Sequence, residues 1–444
     1  MPLSPSMWEP VLCRRRRMGF LRIDIAETYG GTLAKVLLNL EAPSLRHCMV
    51  TYMGPETVRL TLEGSLDGTL FADHFPRLRT LELTNCYIPP AYYRLSDLSL
   101  LVLQYLGPPG GQDPTLTIKD LQSAQFKSLR RLVIWDCFSE DELSARLPID
   151  PVEFPALEQL VVAIPYQACE RLFESLLYPG ECTISLVVCF PGLAQMAHAE
   201  EAAVSGCSFI PLEDFEMCRV VLRDPRSPSI RLTRSSGRGH ITVRFRLHDL
   251  TFPDPTDVNT LMHAINRLSL ASIFPAVHPF DAFSIHLWDA LAMALQRHLA
   301  RITTLHVVFK HNEELDSCIV PSYPISLFRL MPMVENAIFE PPTVYTNRPF
   351  FHAAGASFPN LKRITVNLHH NLNNRILSQG KVALAEFFNT RVTHGLAIDE
   401  AAFVVSPRLA KRFGFSANRE SYQKMVAVYA DNFPRSVVRG YIEK

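Results

Sequence analysis

Hydrophobic residues recur along this chain as a short fixed figure rather than as a continuous helical stripe. In Phe75-Pro76-Arg77-Leu78-Arg79-Thr80-Leu81-Glu82-Leu83-Thr84-Asn85-Cys86-Tyr87-Ile88 the apolar anchors read L-x-x-L-x-L-x-x-C-x-I. Phe126 to Phe138 repeats it at identical offsets, with Leu129, Leu132, Ile134 and Cys137. Phe154-Pro155-Ala156-Leu157-Glu158-Gln159-Leu160-Val161-Val162 is a third copy, and Phe358-Pro359-Asn360-Leu361-Lys362-Arg363-Ile364-Thr365-Val366 a fourth. Weaker copies run Leu98 to Leu103, Ile302 to Val307 and Met331 to Phe339, and Pro43 to Val50 is a candidate first copy.

The middle anchors Leu81, Leu101, Leu132 and Leu160 are spaced by 20, 31 and 28 residues, and Leu305, Ala337 and Ile364 by 32 and 27. These intervals straddle the roughly 20–29-residue period of leucine-rich repeats. Residues two apart, such as Leu81 and Leu83, share one face of a strand. Each strand then needs a crossover before the next parallel strand. Tyr166 to Leu177, Asp257 to Leu268 and Leu287 to Ala300 are the expected crossover helices. One unit cannot bury its apolar face alone, so stacking follows. The expectation is an α/β fold: an irregular leucine-rich-repeat solenoid with one curved parallel sheet and helical or loop return segments.

Three segments divide the chain. Residues 1–40 read as an N-terminal cap and 41–375 as the solenoid, with an irregular excursion about 200–240. Residues 376–444 read as a C-terminal repeat and helical cap, with helices over Lys381 to Val392 and Ser421 to Ala430 and a last strand within His394 to Val405. Gly107 to Pro114 is turn-rich, and residues 223–240, rich in Arg, Ser, Pro and Gly, look exposed. Ile241 to Leu247 alternates like a strand with one basic side.

Alternation also nominates a surface. With the leucines inward, Thr80, Glu82 and Thr84 face outward on the expected concave side, as do Arg131, Val133 and Trp135, then Gln159 and Val161. Later repeats present Thr304, His306 and Val308, then Arg363, Thr365 and Asn367. Ten of these stand as protein-binding candidates: Thr80, Glu82, Arg131, Val133, Trp135, Gln159, Thr304, His306, Arg363 and Thr365. Trp135 is the residue type that anchors interfaces, unless a loop or the next repeat covers it. His306 is read as a plain hydrogen-bonding histidine rather than a pH sensor.

Composition removes other classes. The 444 residues balance 44 Lys and Arg against 44 Asp and Glu, which steers the chain toward neither nucleic acid nor an anionic membrane. The run Arg14 to Arg17 reads as a solvated turn or tail. Ten cysteines show no CxxC motif, the start lacks a secretory pattern, and no apolar run approaches the roughly 20 residues of a membrane span. Reduced, buried cysteines in a cytoplasmic or nuclear protein are the expectation. No GxxxxGK[ST] and no strand-coupled GxGxxG occurs. His369 and His370 are adjacent and would point to opposite faces of a strand. Cys182 and Cys189 read as structural, and Glu140-Asp141-Glu142 as the acidic first turn of a helix. No enzyme activity, cofactor or metal is expected.

The Leu78/Leu81/Leu83/Cys86 and Leu129/Leu132/Ile134/Cys137 patterns resemble the cysteine-containing leucine-rich repeats of F-box proteins. The Phe-Pro-x-Leu lead-ins and irregular spacing resemble the divergent F-box/leucine-rich family of mushroom-forming fungi, over residues 20–405. The resemblance implies the substrate-recognition part of a ubiquitin-ligase adaptor, whose F-box docks a Skp-type adaptor. Residues 1–60 carry neither the Leu-Pro-x-Glu-like opening nor the Val-Cys-x-x-Trp-like close of an F-box, so that module is expected to be truncated or lost. The expected partner is a protein substrate, with the Skp-type adaptor if an F-box lies upstream. The alternative is a free-standing repeat scaffold without a ubiquitin role.

Overall fold

The computed structural model describes residues 17–25, 41–53, 60–61, 77–87, 97–104, 126–135, 151–190, 199–211, 215–222, 229–247, 279–309, 325–340, 357–368, 387–396, 398–405 and 438–442. The protein is α/β, with mostly parallel sheet and few helices among the described residues. It divides into two compact units, Met1–Pro191 and Gly192–Lys444.

The first unit holds strands β1 (Phe20–Ile25), β2 (His47–Tyr52), β3 (Leu60–Thr61), β4 (Thr80–Thr84), β5 (Cys86–Tyr87), β6 (Leu100–Gln104), β7 (Arg131–Trp135), β8 (Val152–Glu153), β9 (Gln159–Pro165), β10 (Leu176–Leu177) and β11 (Thr183–Phe190). Seven of them pair in parallel in the order β1-β2-β4-β6-β7-β9-β11. Register puts Leu21, Cys48, Leu81, Leu101, Leu132, Leu160 and Ile184 in one row across the sheet. A second row, two residues on, runs Ile23, Val50, Leu83, Leu103, Ile134, Val162 and Leu186. Every member of both rows is buried. Helix α1 (Tyr166–Glu174) returns the chain from β9 and packs on β9 and β11 through its buried face of Tyr166, Ala168, Cys169, Leu172 and Phe173.

The second unit holds helices α2 (Ala199–Cys207), α3 (Pro279–Leu299) and α4 (Ile325–Arg329). Its strands are β12 (Phe215–Leu222), β13 (Ser229–Arg234), β14 (His240–Leu247), β15 (Thr304–Phe309), β16 (Asn336–Glu340), β17 (Arg363–Leu368), β18 (Glu400–Val405) and β19 (Val438–Ile442). Their order is β14-β13-β12-β15-β16-β17-β18-β19. From β12 onward the pairing is parallel, and Cys218, Leu305, Ala337, Ile364 and Ala401 form the buried row. Helix α3 packs against α2 and α4.

The lead-in figure has a physical basis. Leu157 N donates to Phe154 O at 3.2 Å and Leu361 N to Phe358 O at 3.3 Å, closing tight turns with proline second. Proline favours that position because its φ is already set near −65°. Phe154, Leu157, Phe358 and Leu361 are all buried. The lead-in phenylalanines also pack on neighbouring rings, Phe126 with the lead-in Phe154 and Phe358 with Phe328 of α4. Phe126 and Phe154 stack with centroids 6.0 Å apart at 14°, and Phe328 and Phe358 lie at 5.5 Å.

At most of the parallel strand starts one carbonyl accepts two amides from the next copy. Arg79 and Thr80 donate to Arg46 O, Ser99 and Leu100 to Arg79 O, Arg130 and Arg131 to Ser99 O, and Glu158 and Gln159 to Arg130 O. The second unit repeats it, with Glu335 and Asn336 on Thr303 O, Lys362 and Arg363 on Glu335 O, and Asp399 and Glu400 on Lys362 O. At the far end of β4, Asn85 takes a positive φ of 53°. Its Nδ2 donates to Tyr52 O at 3.2 Å and its amide to Gln104 O at 2.8 Å, tying three neighbouring strands at the turn. Asparagine tolerates that left-handed conformation.

Several expectations shift. The first described strand of the sheet is β1, which lies within residues 1–40 and pairs with β2. The excursion about 200–240 is largely ordered secondary structure: α2, β12 and β13. The sheet is mostly rather than wholly parallel, since β12-β13 and β13-β14 pair antiparallel. For β13 and β14 the reason is the turn Arg234 to His240, where Gly237 and Gly239 take φ of 70° and 72°. Such a hairpin joins antiparallel strands without the long crossover that parallel ones need. Helix α3 starts at Pro279, eight residues before Leu287. Residues 387–393 are helical as expected for the Lys381 to Val392 segment. Strand β18 falls inside His394 to Val405, but β19 follows it and is the last described strand. Asp257 to Leu268, Ser421 to Ala430, Gly107 to Pro114, Cys137, Glu140 to Glu142, His369 and His370 lie outside the described residues.

Among the described residues seven cysteines are buried thiols: Cys48, Cys86, Cys169, Cys182, Cys189, Cys207 and Cys218. Burial pushes the thiols of Cys48, Cys86, Cys207 and Cys218 up to about 12. These thiols are inert toward thiolate-dependent reagents at neutral pH. We expect native protein with ten cysteines to label on no more than the three outside this group, Cys13, Cys137 and Cys318, and on all ten after unfolding in guanidinium. Mass spectrometry of the labelled chain checks it; native labelling of Cys48 or Cys218 contradicts it.

Candidate surface on the outer sheet faces

Residues alternating with the buried rows form the second face of each sheet. In the first unit one row is His47, Thr80, Leu100, Arg131, Gln159 and Thr183. The next is Met49, Glu82, Val102, Val133, Val161 and Ser185, and a third is Thr51, Thr84, Gln104, Trp135, Ala163 and Val187. The six expected residues of this unit therefore share one face. Arg131 and Gln159 are direct partners. Glu82 and Val133 share a row with Val102 between them.

Thr80 and Val133 are buried rather than open, at 8% and 6% exposure. Parallel strands lie only about 4.8 Å apart, so small side chains on a sheet face are shaded by their neighbours. Val133 sits between Val102 and Val161, and Thr80 between His47 and Leu100. Both lie on the outer face, as expected from alternation, but as buried parts of the sheet surface. Val308, also expected outside, is buried at 1%. Arg131 is exposed, while Glu82, Gln159 and Trp135 are half-buried. Trp135 packs on a buried group of Ala163, Val187 and Cys189 on this same face. The face thus changes character along the sheet. Toward β1 it is polar, with Arg22 and Asp24 paired at 2.9 Å; toward β11 it is apolar.

In the second unit Thr304, Asn336, Arg363 and Glu400 form one outer row, and Arg219, His306, Ile338, Thr365 and Ala402 the next. All four expected residues of this unit lie on that face. Arg363 is exposed, with Nε 4.0 Å from Glu400 Oε2. Thr304, His306 and Thr365 are half-buried. Lys362 Nζ reaches Glu335 Oε1 at 3.0 Å beside the strand starts. Exposed pairs of this kind contribute under about 1 kcal/mol each and shape the surface more than they hold it.

The expected candidates did not include Arg219, Arg231, His240 and Arg244. Register places Arg219 opposite Arg231, Arg231 opposite Thr242, and Arg244 and His240 on that same face. Arg231 Nε donates to Thr242 Oγ1 at 3.1 Å. Burial, then the charges of Arg219 and Arg244, lower the Arg231 guanidinium below its ordinary value. Burial, then Arg231, lowers His240. The sequence signal was the basic side of Ile241 to Leu247; the matching alternation of Ile230 and Leu232 was hidden by its Arg- and Ser-rich surroundings.

No group of three or more His, Cys, Asp or Glu residues able to hold a metal occurs among the described residues. No described helix is long and apolar enough to cross a membrane. Comparison with protein-family models and with curated proteins finds no match to this chain.

Proposed function

We propose that this chain is a non-catalytic protein-binding module, built as an irregular leucine-rich-repeat solenoid with a curved sheet and helical or loop returns. A protein partner sits against the outer faces of its strands. The supporting observation is the shared construction of the strand starts, where one carbonyl takes two amides of the next copy in both units. Repetition of that kind puts side chains from distant parts of the sequence side by side, as a wide contact surface needs. Resemblance to F-box repeat proteins extends this to a substrate-recognition role in ubiquitin ligation, in the cytoplasm or nucleus. The free-standing scaffold is the second reading. It is favoured by β1, because residues 20–25 serve the sheet rather than a helical adaptor-docking module.

The test is affinity capture with the full chain and with a variant carrying Arg131→Glu, Gln159→Arg and Arg363→Glu. These positions are exposed or half-buried, so folding should be retained by circular dichroism. The proposal expects a defined partner held by the parent chain and lost by the variant. Co-purification of a Skp-type adaptor, with partner turnover dependent on the chain, supports ligation. Stable binding without turnover supports the scaffold, and equal capture by both chains overturns the surface.

A further inference from the structure

We infer that His298 is an acid-operated latch: as a neutral ring it fastens the end of α3 to the chain between α2 and β12, and protonation releases that end. His298 is the penultimate residue of α3 and is buried. Its Nε2 lies 3.3 Å from Ile210 O, in the turn that follows α2. Ile210 N closes that turn on Cys207 O at 3.0 Å. The imidazole also meets the ring of Phe215, the first residue of β12, with centroids 6.1 Å apart. One side chain thus joins α3 to the end of α2 and to the start of β12. A carbonyl only accepts, so Nε2 carries the ring hydrogen and Nδ1 a lone pair. That Nδ1 is buried and has no hydrogen-bond partner among the described residues. Beyond the helix, Thr303 N donates to Glu216 O at 3.0 Å and holds the start of β15 on β12 without the ring.

Protonation puts a second hydrogen on Nδ1, where nothing accepts it, and a positive charge in a site shut from water. Arg301, one turn on, repels that charge. The other charged groups on the elements packed here point to solvent: Asp289 and Arg297 on α3, Glu200 and Glu201 at the start of α2, Glu216 on β12 and Arg329 on α4 are exposed. His286 on α3 and Arg219 on β12 are half-buried. The buried thiols of Cys207 and Cys218, pushed up to about 12, stay neutral. Burial holds the His298 ring below its ordinary value of 6.5, against the carbonyls of Ile210 and Pro211, which favour the charged form. The unfolded or released ring therefore takes up a proton that the seated ring refuses. Stability from this ring is full above 6.5 and is lost as the pH falls below it. A released imidazolium regains water beside the helix C-terminus, where a cation is favoured.

The experiment is peptide-resolved hydrogen exchange of the full chain at pH 7.5 and pH 5, corrected for the intrinsic pH dependence of exchange, beside an NMR titration of the histidine rings. Two variants that do not titrate at this position are run with the parent. His298→Gln keeps a donor, and His298→Phe keeps a ring. Either one assigns the His298 signal among the 15 histidines by its disappearance. The His298 ring should titrate below 6.5. Each pH unit below that value favours the released end by up to about tenfold, so exchange in residues 199–211 and 287–300 should rise at least tenfold at pH 5. Residues 336–340 and 363–368, in β16 and β17, should hold. Both variants should lose this pH dependence, and one that folds is enough to read it. Glu213 and Asp214 lie outside the described residues; a counter-charge from either would lift the ring to 6.5 or above, and that value overturns the latch. So does equal exchange of the parent at the two pH values, or an acid loss that persists in the variants. The chain alone is measured, so the result is independent of the protein-binding reading.

Discussion

Phe154→Ala should destabilise the first unit by about 3–5 kcal/mol, the range for deleting a large buried aromatic. Phe154 is fully buried and fills two roles. Its ring stacks on Phe126 of the preceding copy, so the lost side chain opens a gap between two copies rather than within one. Its carbonyl closes the turn with Leu157 that aims Gln159 into β9. A fully formed cavity would lose both transfer energy and packing, since the neighbouring Phe126 is itself buried in the lead-in to β7. Arg131→Ala, on the exposed face of the adjoining strand, should move stability by no more than about 0.5 kcal/mol. Urea unfolding measures both, and peptide-resolved hydrogen exchange assigns the loss to residues 126–190. Equal effects from the two substitutions would mean that the phenylalanine stack contributes nothing to the joining of copies.

Arg391→Met should destabilise the second unit by about 2–4 kcal/mol. Arg391 lies on the helical segment 387–393 and is 1% exposed. Its Nη1 donates to Phe358 O at 2.7 Å and its Nη2 to Leu361 O at 3.0 Å, the two ends of one lead-in turn. Burial lowers the guanidinium to about 10, still well above neutrality, so the group is charged where it meets the carbonyls. Hydrogen bonds from a charged donor contribute more than neutral ones, and their loss leaves buried carbonyls without that donor. Methionine keeps most of the volume and none of the donors. The linkage sign is definite. A folded pKa below the unfolded value means that the unfolded chain binds more protons from about pH 10 upward, so this one group favours folding more as pH rises through that window. Below pH 10 its contribution is flat, and the effect of Arg391→Met should be the same at pH 6 and pH 8. A difference between those two values would mean that Arg391 is not the charged clasp described here.

Much of the architecture was legible because local chemistry repeats. The Phe-Pro-x-Leu figure encodes a turn, the pair of aliphatics two apart encodes a strand face, and both recur at Phe154 and Phe358 in the same form. What escaped was decided by composition or by neighbours. Ser229 to Arg234 alternates Ile230 and Leu232, but its Arg- and Ser-rich context outweighed two aliphatics. Strand β1 has its own alternation of Leu21, Ile23 and Ile25 without the lead-in that marked other copies. The surface was readable as a face and not as a set of exposures. Alternation puts Thr80 and Val133 on the outer side correctly; their burial depends on which side chains the next strands supply, which one strand's sequence does not state. The arginine cluster depends on a hairpin register that brings Arg219 opposite Arg231, twelve residues later in the chain.

The whole reading depends on successive copies lying in register, and a pair of introduced cysteines measures that directly. Arg131→Cys with Gln159→Cys places the thiols on Cα partners of β7 and β9, within reach of a disulfide. Arg131→Cys with Val161→Cys keeps both on the same face but moves one pleat along, to about 8 Å, beyond bridging distance. Under mild oxidation the first pair should form an intramolecular disulfide and the second should stay reduced. Bridging of the second pair in preference to the first would place the strands out of register and remove the aligned surface on which the binding proposal stands.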